Sequence, residues 1–281
     1  MGGTVVAQSP CWKLVGASVV GTQHRVSGGR CEDAWSAVRR DYPDGRTILG
    51  VCVCDGAGST SHGWLGAKIA SRVLAAWLAD NFDRALAAPV EDNRWSISSV
   101  AKRAIRHVAE KAGLSIKDYA CTTVALAVSS DGRWIAAHLG DGAIVGMFDG
   151  SPRLISLPRK GEFANETYFI TDPDSVENIE FQSSAGFDNG EPATAFALFT
   201  DGVEVTLVNR HTRQVAPALA YMLEWLADHD EDEVAQDLEE QLKTVFQQRT
   251  GDDCTLTLIA RPRTRSDGDG MSDSVATTHL A

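Results

Sequence analysis

Val51–Ser59 reads Val-Cys-Val-Cys-Asp-Gly-Ala-Gly-Ser, and it closes an apolar run that begins at Ile48. An apolar stretch of this length bounded by a Gly-rich turn is a buried strand. It delivers one carboxylate, Asp55, to the rim of a sheet on rigid support. The glycines beside it let backbone approach whatever that carboxylate holds. Two distant stretches repeat the design. Ala195–Leu198 runs through Phe199-Thr200 into Asp201-Gly202, and Gly251-Asp252-Asp253 opens the apolar run Cys254–Ala260. Acidic turns at several sheet ends imply one carboxylate cluster in space. Carboxylates repel one another unless a cation lies between them, so the pattern predicts a divalent metal site.

Outward from Val51–Ser59, the chain alternates short strands and amphipathic segments. Strands are expected at Leu14–Gly21, Ala34–Arg40, Thr47–Cys54, Tyr119–Val128, Trp134–Leu139, Ala143–Phe148, Thr194–Phe199 and Cys254–Ala260. Thr22–Cys31 is read as a polar loop, and Tyr42–Arg46 as a turn. Leu65, Ile69, Val73, Leu74, Trp77 and Leu78 recur at helical steps, which predicts a helix over 63–82. Further helices are expected over 96–112, 214–228 and 231–248, with Pro89 and the polar run Glu91–Arg94 separating the first two. Within 158–191, short strands are expected at Tyr168–Thr171 and Val176–Phe181. Strands in runs and helices in two pairs predict an α+β layered fold.

The chain of 281 residues is 43% hydrophobic and 23% charged, the content of a globular protein with a full core. Its net charge of -12 argues against nucleic-acid and anionic-membrane partners. No apolar run approaches the length of a membrane span, and the first residues lack a secretory pattern. The six cysteines form no repeated Cys-x-x-Cys pair, and four lie in apolar runs, as expected of reduced buried thiols in a cytoplasmic protein. Cys52 and Cys54 share one strand face, which favours packing. His24 and His138 are expected to be structural.

Six short motifs follow one another in order: Cys31-Glu32-Asp33-Ala34, Asp55-Gly56-Ala57-Gly58-Ser59, Cys121-Thr122-Thr123, Gly140-Asp141-Gly142, Thr200-Asp201-Gly202 and Asp252-Asp253-Cys254-Thr255. Each alone is a common turn. In this order and on these strand ends, the chain over residues 14–261 resembles the PP2C (PPM) family of metal-dependent protein serine/threonine phosphatases, in a divergent bacterial form. The resemblance implies a four-layer α-β-β-α sandwich of two mainly antiparallel sheets flanked by helix pairs. It implies one phosphatase domain over 1–262 with a flap-like insertion at 158–191, followed by a disordered tail at 263–281.

The resemblance also implies site roles. Asp55 bridges two Mg²⁺ or Mn²⁺ ions, and the Gly56 carbonyl adds a ligand. Asp201 and Asp252 hold one ion, Glu32 and Asp33 sit near the other, and Asp141 faces a third ion beside Asp201. Asp33, Asp55, Asp201 and Asp252 form the catalytic set, and a water shared between two ions attacks phosphorus in line. The expected substrate is a phosphorylated protein, opposite a cognate kinase, with the enzyme a monomer. Two rival readings are a catalytically weak phosphoprotein-binding module and a phosphatase of a small phosphorylated metabolite.

The chain departs from the family pattern at several points. The phosphate-gripping Arg has Arg25 and Arg30 as candidates, both off the family spacing. Ala57 stands where many members carry a histidine general acid, with His62 nearby but off that position. Asp253 replaces the usual Asn and Gly142 the usual Ser, and 158–191 departs from the common flap pattern, with 161–167 resembling a divergent bacterial branch.

Overall fold

The computed structural model describes residues 11–157, 167–185, 187 and 192–263. The strands are β1 (Lys13–Val19), β2 (Ala34–Asp41), β3 (Thr47–Cys54), β4 (Thr123–Ser129), β5 (Trp134–Leu139), β6 (Ala143–Phe148), β7 (Ser151–Ser156), β8 (Glu180–Ser183), β9 (Ala193–Phe199), β10 (Val208–Asn209), β11 (Gln214–Val215) and β12 (Cys254–Ala260). The helices are α1 (Thr22–Ser27), α2 (Gly63–Asp80), α3 (Phe82–Ala87), α4 (Val90–Ala112), α5 (Ser175–Asn178), α6 (Asp201–Leu207), α7 (Pro217–Asp228), α8 (Glu231–Gln241) and α9 (Gln247–Thr250).

Two five-stranded antiparallel sheets stack face to face, in the orders β1-β12-β9-β6-β7 and β2-β3-β4-β5-β8. Alternation along β3 explains its unbroken apolarity. Leu49, Val51 and Val53 point into the layer between the sheets, with Leu126, Phe196 and Ile259. Ile48, Cys52 and Cys54 point outward, under α2 and α4, with Leu74, Leu78 and Ile105. A strand buried on both faces has no polar side. A third cluster packs α7 and α8 on the other sheet through Leu219, Leu223, Leu238 and Leu258. The expected α-β-β-α sandwich is therefore the observed one. No described helix is long and apolar enough to cross a membrane.

Several element expectations need correction. The polar run Glu91–Arg94 does not separate helices; it starts α4, where Glu91 and Asp92 suit the positive end of the helix dipole. Thr22–Cys31 is not all loop: α1 forms there despite having no apolar face, because Gln23 N–H donates to the Gly251 carbonyl at 3.1 Å. Tyr168–Thr171 is a turn, closed by Phe169 N–H donating to the Asp172 carboxylate at 2.7 Å. Such local side-chain bonds compete with strand pairing. Val176–Phe181 splits into α5 and β8, and Tyr119 ends a 3₁₀ turn before β4. The helix expected over 214–228 begins with β11, and the one over 231–248 is broken by a π-helical turn at Leu242–Phe246. Strand β7 and helix α6 were not expected. Residues 158–166, 186 and 188–191 of the flap and all but one residue of the 263–281 tail lie outside the described residues, with the flap and disorder expectations attached to them.

Candidate active site

The acidic turns converge at one rim of the sandwich. Asp55 leaves β3 with its backbone clamped on both sides. Its N–H donates to Thr122 Oγ1 at 3.0 Å, and its carbonyl accepts from Thr122 N–H at 2.8 Å. Gly56 N–H donates to the Glu32 carbonyl at 3.1 Å, which draws the Glu32-Asp33 turn alongside. A side chain at Gly56 would collide with the backbone of Gly63 and Trp64, so glycine lets the turn press against the start of α2. Asp201 is the first residue of α6, not a free turn. Gly202 packs against the Asp253 carbonyl, where a Cβ would not fit, and so holds Asp201 beside the Asp252-Asp253 turn.

Oxygens of Asp55, Asp141 and Asp201 lie within 4.8 Å of one another. A cavity of about 320 Å³ opens beside them, lined by Asp55, Asp141, Asp252, Glu32, Thr167 and His24 among others. Asp33 lies beneath, 8% exposed, and Thr200 Oγ1 donates to its carboxylate at 2.8 Å. Thr167 Oγ1 donates to Asp141 at 2.8 Å. The other Asp141 oxygen and one Glu32 oxygen are buried with no hydrogen-bond partner among the described residues.

The electrostatics follow from this crowding. Burial, then the charges of Asp33, Asp201, Asp141 and Asp252, push the Asp55 carboxyl well above the usual range. Burial and the nearby carboxylates outweigh threonine hydrogen bonds to take Asp33 up to about 8. Burial and Asp141 take Asp201 up to about 7, with Arg210 pulling the other way. Unpartnered carboxylate oxygens in an all-oxygen cluster fit a hard divalent cation. Asp55, Asp141 and Asp201 are the residues that would hold it.

Other expected residues are placed differently. Arg25 hydrogen-bonds Gln247, away from the cavity. Arg30 stacks over the Trp64 ring at 4.3 Å. His62 bonds Ser61 Oγ at 2.8 Å and stacks on Tyr119 at 5.2 Å between centroids. His138 is buried on β5, 2.6 Å from Ser156 Oγ. Cys52 and Cys54 do share a face, with sulfurs 3.6 Å apart in the helix-side core. The six cysteines are free thiols.

Three features were not anticipated. Asp253 is 3% exposed and accepts from Gly21 N–H and Glu32 N–H, both at 2.6 Å, so it ties three chain segments together. His24 Nδ1 lies 3.0 Å from Asp253 Oδ1. Burial lowers the affinity of His24 for its proton, but Asp253, Glu32 and Asp252 outweigh that and raise its pKa. Arg210 grips the buried Glu204 of α6 through both carboxylate oxygens, at 2.8 and 2.7 Å. The partners are remote in sequence for His24, and no motif marks Arg210; only the Asp-for-Asn change at 253 was a signal.

Comparison with known proteins agrees with this arrangement. The family model described as "Protein phosphatase 2C" matches residues 20–243. Serine/threonine-protein phosphatase 3 of Escherichia coli (strain K12) is 33% identical over 198 residues, spanning 70% of this chain and 76% of that protein. A crystal structure of a bacterial serine phosphatase superposes with a TM-score of 0.58 at 15% identity, covering 91% of this chain and 100% of that one. The serine/threonine phosphatase Stp1 of Staphylococcus aureus gives 0.55 at 16% identity, covering 92% and 99%. At those identities the two structures speak for the fold, while the family model and the E. coli relative carry the lineage: this chain belongs to the protein phosphatase 2C family.

Proposed function

We propose that the protein is a Mg²⁺- or Mn²⁺-dependent phosphatase of phosphoserine and phosphothreonine in proteins. The observation that carries the reading is the Asp55–Asp141–Asp201 group, with ligand oxygens within 4.8 Å of one another and with Asp55 and Asp141 on the wall of a cavity. Two or three such ions held there would neutralise the phosphate dianion and supply an activated water as the nucleophile. The chain's own part is to hold oxygens in place. Asp55 stands on a strand end clamped by Thr122, and Asp201 on the first turn of α6. Asp252 is the next acid on the cavity wall, and Glu32 and Asp33 support the side nearest β2. Retention of this whole acidic set favours an enzyme over a phosphoprotein-binding module.

The named activity of the E. coli relative supports a phosphoprotein substrate and hence an opposing kinase. Free thiols throughout are in keeping with a reducing, cytoplasmic setting. The test is phosphate release from a phosphothreonine peptide and from p-nitrophenyl phosphate, with Mn²⁺, Mg²⁺ or EDTA, beside Asp55→Asn. Turnover that needs the metal and is lost in the variant is the expected result. Folded protein with no turnover under any metal would leave the binding-module reading in its place.

A further inference from the structure

The two helix layers of the sandwich carry opposite charge. Helix α8 holds six acids and no base. Between Arg94 and Tyr119, α4 and the turn after it hold six Lys and Arg against two acids, Glu110 and Asp118, in a chain of net charge -12. Asp118 is taken up locally, accepting from Ser115 N–H at 2.9 Å. Lys102 is half-buried and offset by Asp172 and Glu177. Beyond its acidic first turn α4 exposes Trp95, Arg103, Arg106, His107 and Lys111, with Glu110 as the one acid. Ile97, Ala101, Ile105 and Ala109 bury the opposite face.

Folding needs do not account for this face. The helix dipole explains Lys111, the one base in the last turn, but not Arg103 or Arg106. Among the described residues no ion pair engages Arg103, Arg106 or Lys111, whereas Arg40, Arg46, Arg133, Arg210 and Arg263 are each paired with a carboxylate. Trp95 is 64% exposed, the one exposed tryptophan of seven. Tryptophan and arginine are the side chains that most often anchor a partner. The face also leads to the metal site. Past Gly113, His62 N–H donates to the Asp118 carbonyl and Ala57 N–H to the Ala120 carbonyl, both at 2.9 Å. The lysine end of α4 is thus joined by a short turn to the Asp55-Gly56-Ala57 rim. From Trp95 to Lys111 the helix runs about 24 Å, the reach of an extended segment of about eight residues.

We propose that this face of α4 docks an acidic segment of the phosphoprotein substrate, apart from the phosphorylated residue, and so selects substrates that carry one. This rests on the phosphatase reading above. Carboxylates of the segment meet Arg103, Arg106 and Lys111, and their methylene stems cover the Trp95 ring. The same segment is repelled at α8, so charge steers it to one side of the molecule. Docking raises the local concentration of the phosphorylated residue at the metal site, an effect read in KM rather than kcat.

The test uses a phosphothreonine peptide joined through a Gly-Ser linker of about ten residues to an octaglutamate or an octaglutamine tail. In wild type with saturating Mg²⁺ the glutamate tail should lower KM about 10-fold, the yield of three exposed ion pairs. In about 0.5 M salt the advantage should fall below about 2-fold. Arg103→Glu with Arg106→Glu and Lys111→Glu should erase it, each protein being referred to its own rate on the glutamine tail. Arg103→Gln with Arg106→Gln serves if the reversal variant does not melt like wild type. Fluorescence anisotropy of the labelled octaglutamate tail alone should show binding to wild type and none to the variant. Equal KM for the two tails in wild type, or an advantage that survives in the variants, would overturn the proposal. So would displacement of the tail by a DNA oligonucleotide of equal charge at lower concentration. Sedimentation showing self-association of wild type that the variants lose would give the face to a second copy and overturn it too. Wild type releasing no phosphate from either peptide or from p-nitrophenyl phosphate would overturn the phosphatase reading, and the anisotropy would still decide whether α4 binds an acidic segment.

Discussion

Strand β3 carries carboxylates at both of its ends, and the two ends are opposites. Before Thr47, Arg46 sits between acids: it reaches both oxygens of Asp83 at 2.9 and 2.7 Å and Asp44 at 2.7 Å. Arg133 covers Asp131 at 2.6 Å. After Cys54, Asp55 faces Asp141 and Asp201 with no such guanidinium bound between them among the described residues. The pKa directions split accordingly. Side-chain hydrogen bonds from Arg46 hold Asp44 and Asp83 below the usual range, while burial and like charge raise Asp55 and Asp201. One rim has its counter-ions in the sequence. On the proposed reading the other takes them from solution, at a cost in stability of the ion-free protein.

The comparison breaks most directly at Asp55. Asp55→Asn should cut kcat on a phosphothreonine peptide by at least about 100-fold, read as Mn²⁺-dependent phosphate release. It should also melt higher than wild type in EDTA, because a buried, repelled charge has been removed; a lower melting temperature would contradict the account of that rim.

Adding Mn²⁺ or Mg²⁺ to wild type should raise stability by about 2.7 kcal/mol at one hundred times Kd. Differential scanning calorimetry reads this as a shift in Tm of a few degrees, and Asp55→Asn should lose most of it.

Asp253→Ala leaves two buried backbone N–H groups without acceptors, and should cost about 2–4 kcal/mol in urea unfolding. A substitution at the paired rim should be milder. Arg46→Met should cost about 1 kcal/mol, with kcat unchanged. Its effect should depend on pH with a definite sign. Asp83 has a folded pKa below its unfolded value near 3.9, so its pairing stabilises above about pH 4 and is lost as pH falls through the folded value. Wild type and Arg46→Met should therefore converge in stability in acid; a gap that widens there would sink the ion-pair account.

Much of this was legible along the chain. The unbroken apolarity of Ile48–Cys54 announced a strand buried on both faces, and the Asp-Gly and Gly-Asp turns announced the acids at its rim. The same kind of turn marks Asp55, Asp141, Asp201 and Asp252 along the chain. Helix α1 was missed because it has no apolar face to generate a period, and it exists through contacts with Gly251 and Gln247. Arg25 and Arg30 could not be judged from spacing, since what each touches lies on another element: Gln247 for one and Trp64 for the other.

What the sequence determined by itself was periodicity and local turn chemistry, hence an α+β layered fold with acids at its strand ends, while the four-layer sandwich was what the family resemblance implied. These are decided within a few residues, by side-chain alternation and by glycine beside aspartate. Only the tertiary structure decided which charges meet which. His24 resembled any lone histidine until the fold brought it to Asp253, and Asp253 any second acid until it received the N–H groups of Gly21 and Glu32. Whether an ionisable group is paired, repelled or poised depends on neighbours within a few ångströms, and those neighbours come from the far ends of the chain.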